Sequence, residues 1–286
     1  MSGLLCYCRS GFEPELAAEL GERAASAGQH GYAVTERGSG FVRFLAPGGD
    51  AIALSHALPW RSLVFARQKL VLLEDLDGLD TSDRVTPVLA ALQRHVDAAG
   101  DDRRAAFGTL VVEHPDSDDA RPLAGLARAL GNALRPALRK AGLLAAKDDA
   151  RRPRLHVCLL AGDQLLLATA TADAASPRDA SPWPMGVPRL RLHRDAPSRS
   201  ALKLEEAFLT LLDDGERERL LRPGMTAADL GAAPGGWTWV LQRAGLQVSA
   251  VDNGPLRQHV LDGGGVEHLR EDGFRWQPPR PLDCMF

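Results

Sequence analysis

Residues 229–237 read Asp-Leu-Gly-Ala-Ala-Pro-Gly-Gly-Trp, "DLGAAPGGW", and this stretch decides the fold. The run "MTAADLG" that leads into it reads as a strand and "GGWTWVLQRAG" as a helix, so the glycines occupy a strand-to-helix turn. A turn that only packs a helix on a strand uses one or two glycines, and three leave room for something more. Outward from the turn the chain continues as strand "QVSAVD", helix "PLRQHVLDG", strand "VEHLRE" and a last apolar hexamer "PLDCMF". Upstream, "SRSALKLEEAFLTLLDD" predicts a helix with serines suited to N-capping and an apolar face of Ala201, Leu204, Phe208, Leu211 and Leu212. Strand and helix in alternation predict a parallel sheet in a doubly wound, Rossmann-like α/β domain.

Such folds bind ligands where the first strand turns into its helix. Gly231 can take backbone angles closed to other residues, and Gly235 with Gly236 is expected to let a ligand approach the helix N-terminus. Asp252 ends the next strand, where an acid can accept hydrogen bonds from ribose hydroxyls. The spacing departs from G-x-G-x-x-G, and the chain has no G-x-x-x-x-G-K-[ST] loop, which weakens nicotinamide cofactors and ATP as ligands.

The 286 residues are 45% hydrophobic and 25% charged, which suits a globular chain of about two domains. No run approaches a membrane span and the N-terminus lacks signal-peptide character, so a cytoplasmic location is expected. Cys6, Cys8, Cys158 and Cys284 are too scattered for a disulfide framework, and Cys6-x-Cys8 lacks the second pair of a zinc site, so no metal is expected. The net charge of −3 conceals two basic clusters. One holds Arg128, Arg135, Arg139, Lys140, Lys147, Arg151, Arg152 and Arg154; the other holds Arg189, Arg191, Arg194, Arg199 and Lys203. Either could grip phosphates, although basic runs are commonly solvated faces.

The first seventy residues alternate strands with the amphipathic "EPELAAELGERAASAG". A second α+β unit follows, closed by a hairpin around Ala161–Gln164. Five of the 19 prolines then fall in "SPRDASPWPMGVPRLRLHRDAPS", which reads as a linker between domains.

"DLGAAPGGW", with "SRSALKLEEAF" before it and "VDNGPL" and "REDGF" after it, resembles the FtsJ-like ribose 2′-O-methyltransferases, and within them the branch that modifies a cytidine of bacterial 23S rRNA. The likeness extends through "RSGFEPELAAEL", "RSLVFARQ" and "SPWPMGVPRL". It implies a ferredoxin-like unit over 1–70, a THUMP-like RNA-binding unit over 71–172, a proline-rich linker over 173–197 and a methyltransferase domain from 198 to 286. The implied cofactor is S-adenosylmethionine, with Asp252 on its ribose, Asp272 on the adenine amino group, Ala233, Pro234, Gly235 and Gly236 beneath the methionine part, and Ser200 touching it. Ser200 as a plain helix cap and Asp272 as a turn acid remain alternatives. Lys203 matches the first member of the family's catalytic Lys-Asp-Lys-Glu set; its plain alternative is a surface pair with Glu206. The other three members have no counterpart before Phe286, so the methyltransferase domain is expected to be incomplete and these residues inactive alone. The implied partner is 23S rRNA, naked or in an early assembly intermediate, bound by a monomer without a membrane. Two rivals are an RNA-binding protein with a non-catalytic methyltransferase scaffold, and a tRNA base methyltransferase. The second needs an Asn/Asp-Pro-Pro-aromatic motif, and the only Pro-Pro lies in "WQPPRP".

Overall fold

The computed structural model describes residues 2–98, 100, 106–170 and 179–286. These form two compact units, Met1–Val187 and Pro188–Phe286. Of the proline-rich stretch expected over 173–197, positions 173–178 lie outside the described residues.

The first unit runs β1 (Gly3–Tyr7), α1 (Glu13–Ser26), β2 (Tyr32–Val34), β3 (Phe41–Leu45), α2 (Ala51–Ala57), β4 (Gln68–Leu76), α3 (Val85–Ala98), β5 (Thr109–Glu113), α4 (Ala124–Lys140), β6 (Arg154–Leu159) and β7 (Leu165–Ala170). Sequence pattern divides these elements into two small groups, yet they share one seven-stranded sheet of order β2-β3-β1-β4-β7-β6-β5. The nine-residue β4 is the joint: Val71 sits opposite Leu4 of β1 on one side and Thr169 of β7 on the other. Every pairing is antiparallel except β5 with β6.

The strands obey the two-residue period, but both faces are buried. Leu155, Val157 and Leu159 of β6 with Leu165 and Leu167 of β7 pack against Leu92 of α3 and Leu130, Leu134 and Leu138 of α4. Leu4 and Cys6 of β1 pack with Leu16 and Leu20 of α1 and Leu54 of α2. The alternate residues Leu5, Tyr7, Leu70, Leu72, Leu166 and Ala168 form a separate cluster with Ala180 at its margin.

Residues 179–187, proline-rich in sequence, are strapped to this sheet. Gln68 donates to the carbonyl oxygens of Ser181 and Trp183 and accepts from the Ser181 N–H. Glu113 accepts from the Met185 N–H at 2.6 Å, and Arg154 donates to the Ser181 and Pro182 carbonyls. The Lys69 ammonium, 1% exposed, reaches the carbonyls of Ser55 and Leu58 and the Asp179 carboxylate at 2.6–2.7 Å. Burial pulls Lys69 below its ordinary pKa while Asp179 opposes the shift. At Gly186 a Cβ would stand 2.0 Å from the Arg67 carbonyl oxygen, so the strap meets the sheet backbone to backbone there.

The second unit contains α5 (Ala201–Leu211), α6 (Asp214–Leu220), β8 (Thr226–Leu230), α7 (Gly236–Arg243), β9 (Gln247–Val251), α8 (Gln258–Asp262), β10 (Val266–Leu269) and β11 (Cys284–Met285). Its sheet is parallel throughout in the order β10-β9-β8-β11, as the alternation in the sequence predicts for a Rossmann-like fold. Trp239, Val240 and Leu241 of α7 pack with Ala201 and Leu204 of α5 and with Ala227 and Val248 of the sheet.

Three details differ from the sequence reading. Leu211, expected on the apolar face of α5, is 71% exposed because that helix ends there. The short helices α2 and α6 were not expected; Asp50 caps the first, and a reciprocal Asp213–Glu216 capping box opens the second. The last strand is two residues rather than a long apolar hexamer.

Candidate functional site: the β8–α7 turn

The three glycines of 229–237 answer three separate steric demands. Gly231 has φ +82° and nothing within 4 Å of where a Cβ would be. Gly235, at φ +108°, is the left-handed cap of α7, and a Cβ there would press on Val260 of α8 at 3.3 Å. At Gly236 a Cβ would meet the hydroxyl oxygens of Ser200 and Ser198 at 2.2 and 2.5 Å. The expectation that Gly235 and Gly236 leave ligand room is corrected on that point: protein fills the space beside both, and the opening lies over Gly231. Ala233 and Pro234 complete the loop through a cis peptide bond.

Two carboxylates hold the turn. Asp229, the penultimate residue of β8, is 3% exposed and accepts from the N–H and hydroxyl of Thr238 at 2.8 and 2.6 Å. It thereby satisfies a first-turn N–H of α7, the service a cap residue performs, from across the loop. Burial pushes its carboxyl above the ordinary range; the Thr238 bonds pull the other way and Asp252 adds to the rise. Sequence reasoning missed Asp229 and Thr238 as a pair; the signal available was an acid inside a buried strand nine residues before a threonine in the facing helix.

Asp252 follows β9. One of its carboxylate oxygens accepts from Ala233 N–H at 2.9 Å and the other from Gly254 N–H at 2.7 Å. These two backbone donors hold the carboxyl below its ordinary value. The group is half-buried, and an ionised carboxylate has about four acceptor positions, so two remain for a ligand. His268 Nε2 lies 3.0 Å from the Asp252 carbonyl oxygen, fixing the strand end behind it.

Asp272 lies on the loop after β10, where it accepts from Phe274 N–H at 2.9 Å. A Cβ at Gly273 would fall 3.8 Å from Gly231 N, so the Asp272 loop borders the glycine turn. Ser200 does not cap α5: its hydroxyl bonds to that of Ser198 at 2.6 Å, and its carbonyl accepts from Trp237 Nε1 at 3.0 Å. Both serines are thereby drawn against the N-terminus of α7. Lys203 is exposed on the first turn of α5 and has no ion-pair partner among the described residues, Glu206 included.

The turn therefore sets Asp252, whose carboxyl is held below its ordinary value, and the Asp272 loop beside the open space over Gly231. The carboxylates of Asp252 and Asp272 offer acceptor positions that suit hydroxyl and amino donors on a ligand. Among the described residues no group of three or more His, Cys, Asp or Glu is placed to hold a metal ion, and no helix is long and apolar enough to cross a membrane.

The basic clusters divide. In the first unit Arg135 and Arg139 face Asp148, Arg151 and Arg152 face Asp149, and Arg154 is spent on the strap. Much of that cluster is thus neutralised internally. In the second unit Arg194 approaches Asp195 at 3.5 Å, while Arg189, Arg191 and Arg199 have no acidic partner among the described residues.

Comparison with known proteins converges on the same reading. The model of the RlmM ferredoxin-like domain matches residues 1–70, that of the ribosomal RNA large subunit methyltransferase M N-terminal region matches 83–171, and that of the FtsJ-like methyltransferases matches 196–272. The ribosomal RNA large subunit methyltransferases M of Xanthomonas campestris pv. campestris strain B100 and of Xanthomonas axonopodis pv. citri strain 306 are each 62% identical over 285 residues, covering 100% of this chain and 78% of theirs. Among solved structures, a possible methylase from Clostridium difficile 630 overlays 98% of this chain and 78% of its own at 13% identity and TM-score 0.39. A predicted N6-adenine-specific DNA methylase from Listeria monocytogenes str. 4b F2365 overlays 97% of this chain and 77% of its own at 13% identity and TM-score 0.42. Likeness at that level says nothing about site or reaction; the sequence relatives and the matched domains do, and by them the chain belongs to the ribosomal RNA large subunit methyltransferase M family, a family of FtsJ-like rRNA methyltransferases.

Proposed function

We propose that the chain uses S-adenosylmethionine to methylate the ribose 2′ hydroxyl of a cytidine in 23S rRNA, presented as naked RNA or an early assembly intermediate, with residues 71–172 serving as a THUMP-like RNA-binding unit. The observation that carries this reading is the Asp252 carboxylate, held ionised by two backbone donors beside the opening over Gly231. When bound, the cofactor supplies a methyl group on a sulfonium, which is transferred by displacement.

The chain's own residues then divide the work. Asp252 accepts from the cofactor ribose, and Asp272 accepts from the adenine amino group. Ala233 and Pro234, beside the open space over Gly231, form the floor beneath the methionine part, with Gly235 and Gly236 packed against protein behind it and Ser200 at its edge. Lys203 faces the ribose hydroxyl, whose proton must leave as its oxygen attacks. A lysine can assist there only where its surroundings favour the neutral amine. Cofactor binding precedes any transfer, so the test is set on binding rather than turnover.

Calorimetry with S-adenosylhomocysteine is the test. Asp252→Asn replaces acceptors with a donor where both the turn and a ribose hydroxyl offer hydrogens, and affinity should fall about tenfold or more. Lys203→Ala should bind like the parent. Equal affinity in Asp252→Asn would overturn the site.

A further inference from the structure

We propose that Phe12 and Phe65, with Arg9, form a base-stacking platform that holds an unpaired nucleotide of the RNA substrate on the first unit, far along the chain from the cofactor turn. This deepens the reading of the chain as an rRNA methyltransferase and rests on it.

Phe12 precedes α1 and is 40% exposed, as few large apolar side chains here are. Its ring stacks on Phe65, with centroids 6.0 Å apart and planes 25° apart. The Arg9 guanidinium stands 5.9 Å from the Phe12 centroid, within reach of the ring's negative face. Neither Arg9 nor the nearby Arg37 has an acidic partner among the described residues. Val64, beside Phe65, is 77% exposed and extends the apolar rim.

The platform is fixed from below. Glu13, the first residue of α1, is fully buried and accepts from the N–H groups of Gly11, Gly38 and Gly40 at 2.8–3.1 Å. Burial pushes that carboxyl up, but the glycine N–H groups prevail and hold it below its ordinary value, so it stays ionised. Ser10 adds a bond from its hydroxyl to the Gly38 carbonyl at 3.0 Å. The 9–12 loop and the 37–40 turn are thereby locked together, which places Arg37 by the start of α1. On the far side Glu19 accepts from the N–H groups of Val64 and Phe65 and fixes the second ring's backbone.

Charge gives the platform a direction. Phe65 also borders a groove of about 880 Å³ lined by Glu15, Glu19 and Glu22 with Arg23, which pairs with Glu19, so Glu15 and Glu22 give that side a net negative charge. Phosphates are repelled from that side and drawn to Arg9 and Arg37. A strand therefore lays its backbone along the arginines and a base over Phe12. Rings held rigidly beside unpaired arginines are the means by which proteins hold single-stranded RNA, since every base has a π face.

The test is fluorescence anisotropy of the whole chain with a 12-nucleotide single-stranded RNA and, separately, a 12-base-pair RNA duplex across a range of salt. Phe12→Ala should weaken single-strand binding about tenfold with an unchanged salt slope. Phe12→Tyr should retain affinity, and duplex binding should not respond to Phe12→Ala. Arg9→Ala should lower the salt slope by about one. Parent-like single-strand affinity in Phe12→Ala overturns the platform, as does an equal loss on duplex, in Phe12→Tyr, or alongside a lowered melting temperature. S-Adenosylhomocysteine binding of Phe12→Ala is the control: RNA binding that ignores the substitution refutes the platform alone, while a parent chain with no RNA affinity refutes the RNA reading with it.

Discussion

The strap of the first unit and the glycine turn of the second meet the same need by related means and to opposite ends. In each, irregular backbone lies against a sheet and must have its polar groups satisfied. In the first, Lys69, Gln68, Glu113 and Arg154 reach out of the sheet to residues 179–187, and Asp179, Ser181, Met185 and Gly186 end up buried. In the second, Asp229 and Asp252 satisfy the turn from behind, which leaves the space over Gly231 open. The first loop is tied down through its buried residues, whereas the second keeps unfilled space over one glycine.

The sharpest way to break that contrast is to cut the strap at its buried charge. Lys69→Met leaves Asp179 without its counter-ion in the interior, so the first unit should lose about 3–5 kcal/mol. The double substitution Lys69→Met with Asp179→Leu should recover most of the loss. Urea unfolding, with hydrogen exchange read separately over residues 2–187 and 188–286, checks both. A single substitution that costs no more than the double would mean the ion pair does not hold the strap.

A smaller effect separates the glycines. Gly236→Ala drives a methyl into the Ser198 and Ser200 hydroxyls and should cost about 1–3 kcal/mol through overpacking. Gly231→Ala meets no atom and should cost only the about 1–2 kcal/mol of a left-handed backbone. The cofactor readout should invert that order if the opening over Gly231 is the ligand's space. Calorimetry on both variants decides it; equal loss of affinity would erase the distinction between packing glycine and site glycine.

The smallest effect is in pH. Glu13 in the first unit and Asp252 in the second both titrate below their ordinary values. Each therefore contributes stability that is present above its unfolded pKa, 4.5 and 3.8 in turn, and is lost as pH falls through the lower folded value. Asp229 is raised, so its penalty for ionising in the fold is relieved over the same descent. Stability between pH 5 and 3 should thus fall more steeply in the first unit than in the second, as hydrogen exchange at stepped pH would show. Glu13→Gln should flatten the first unit's slope; an unchanged slope would remove Glu13 as its source.

The second unit was the more legible from sequence because its signals are local. Each strand and helix is short and punctuated by glycine or proline, and the parallel order follows from the alternation. Even there, the capping box of α6 was present in Asp213 and Glu216 and was overlooked, while the end of α5 before Leu212 follows from packing that its periodicity does not contain. In the first unit the strands were legible but their union was not. That β4 joins two groups of strands rests on pairing between residues about a hundred positions apart, such as Val71 with Thr169, and no local pattern encodes partner choice at that distance.

The amino-acid sequence by itself determined the glycine turn, the acid at the end of the following strand, the lysine opening α5 and the parallel α/β order, because each depends on residue type at fixed short spacing. Only the tertiary structure decided which glycine faces open space, that Asp229 braces α7, that Ser198 and Ser200 occupy the room beside Gly236, and that a proline-rich stretch is bound to the sheet by a buried lysine. The physical reason is that spacing fixes what a backbone can do locally, whereas the use made of freed space depends on which distant side chain arrives to fill it.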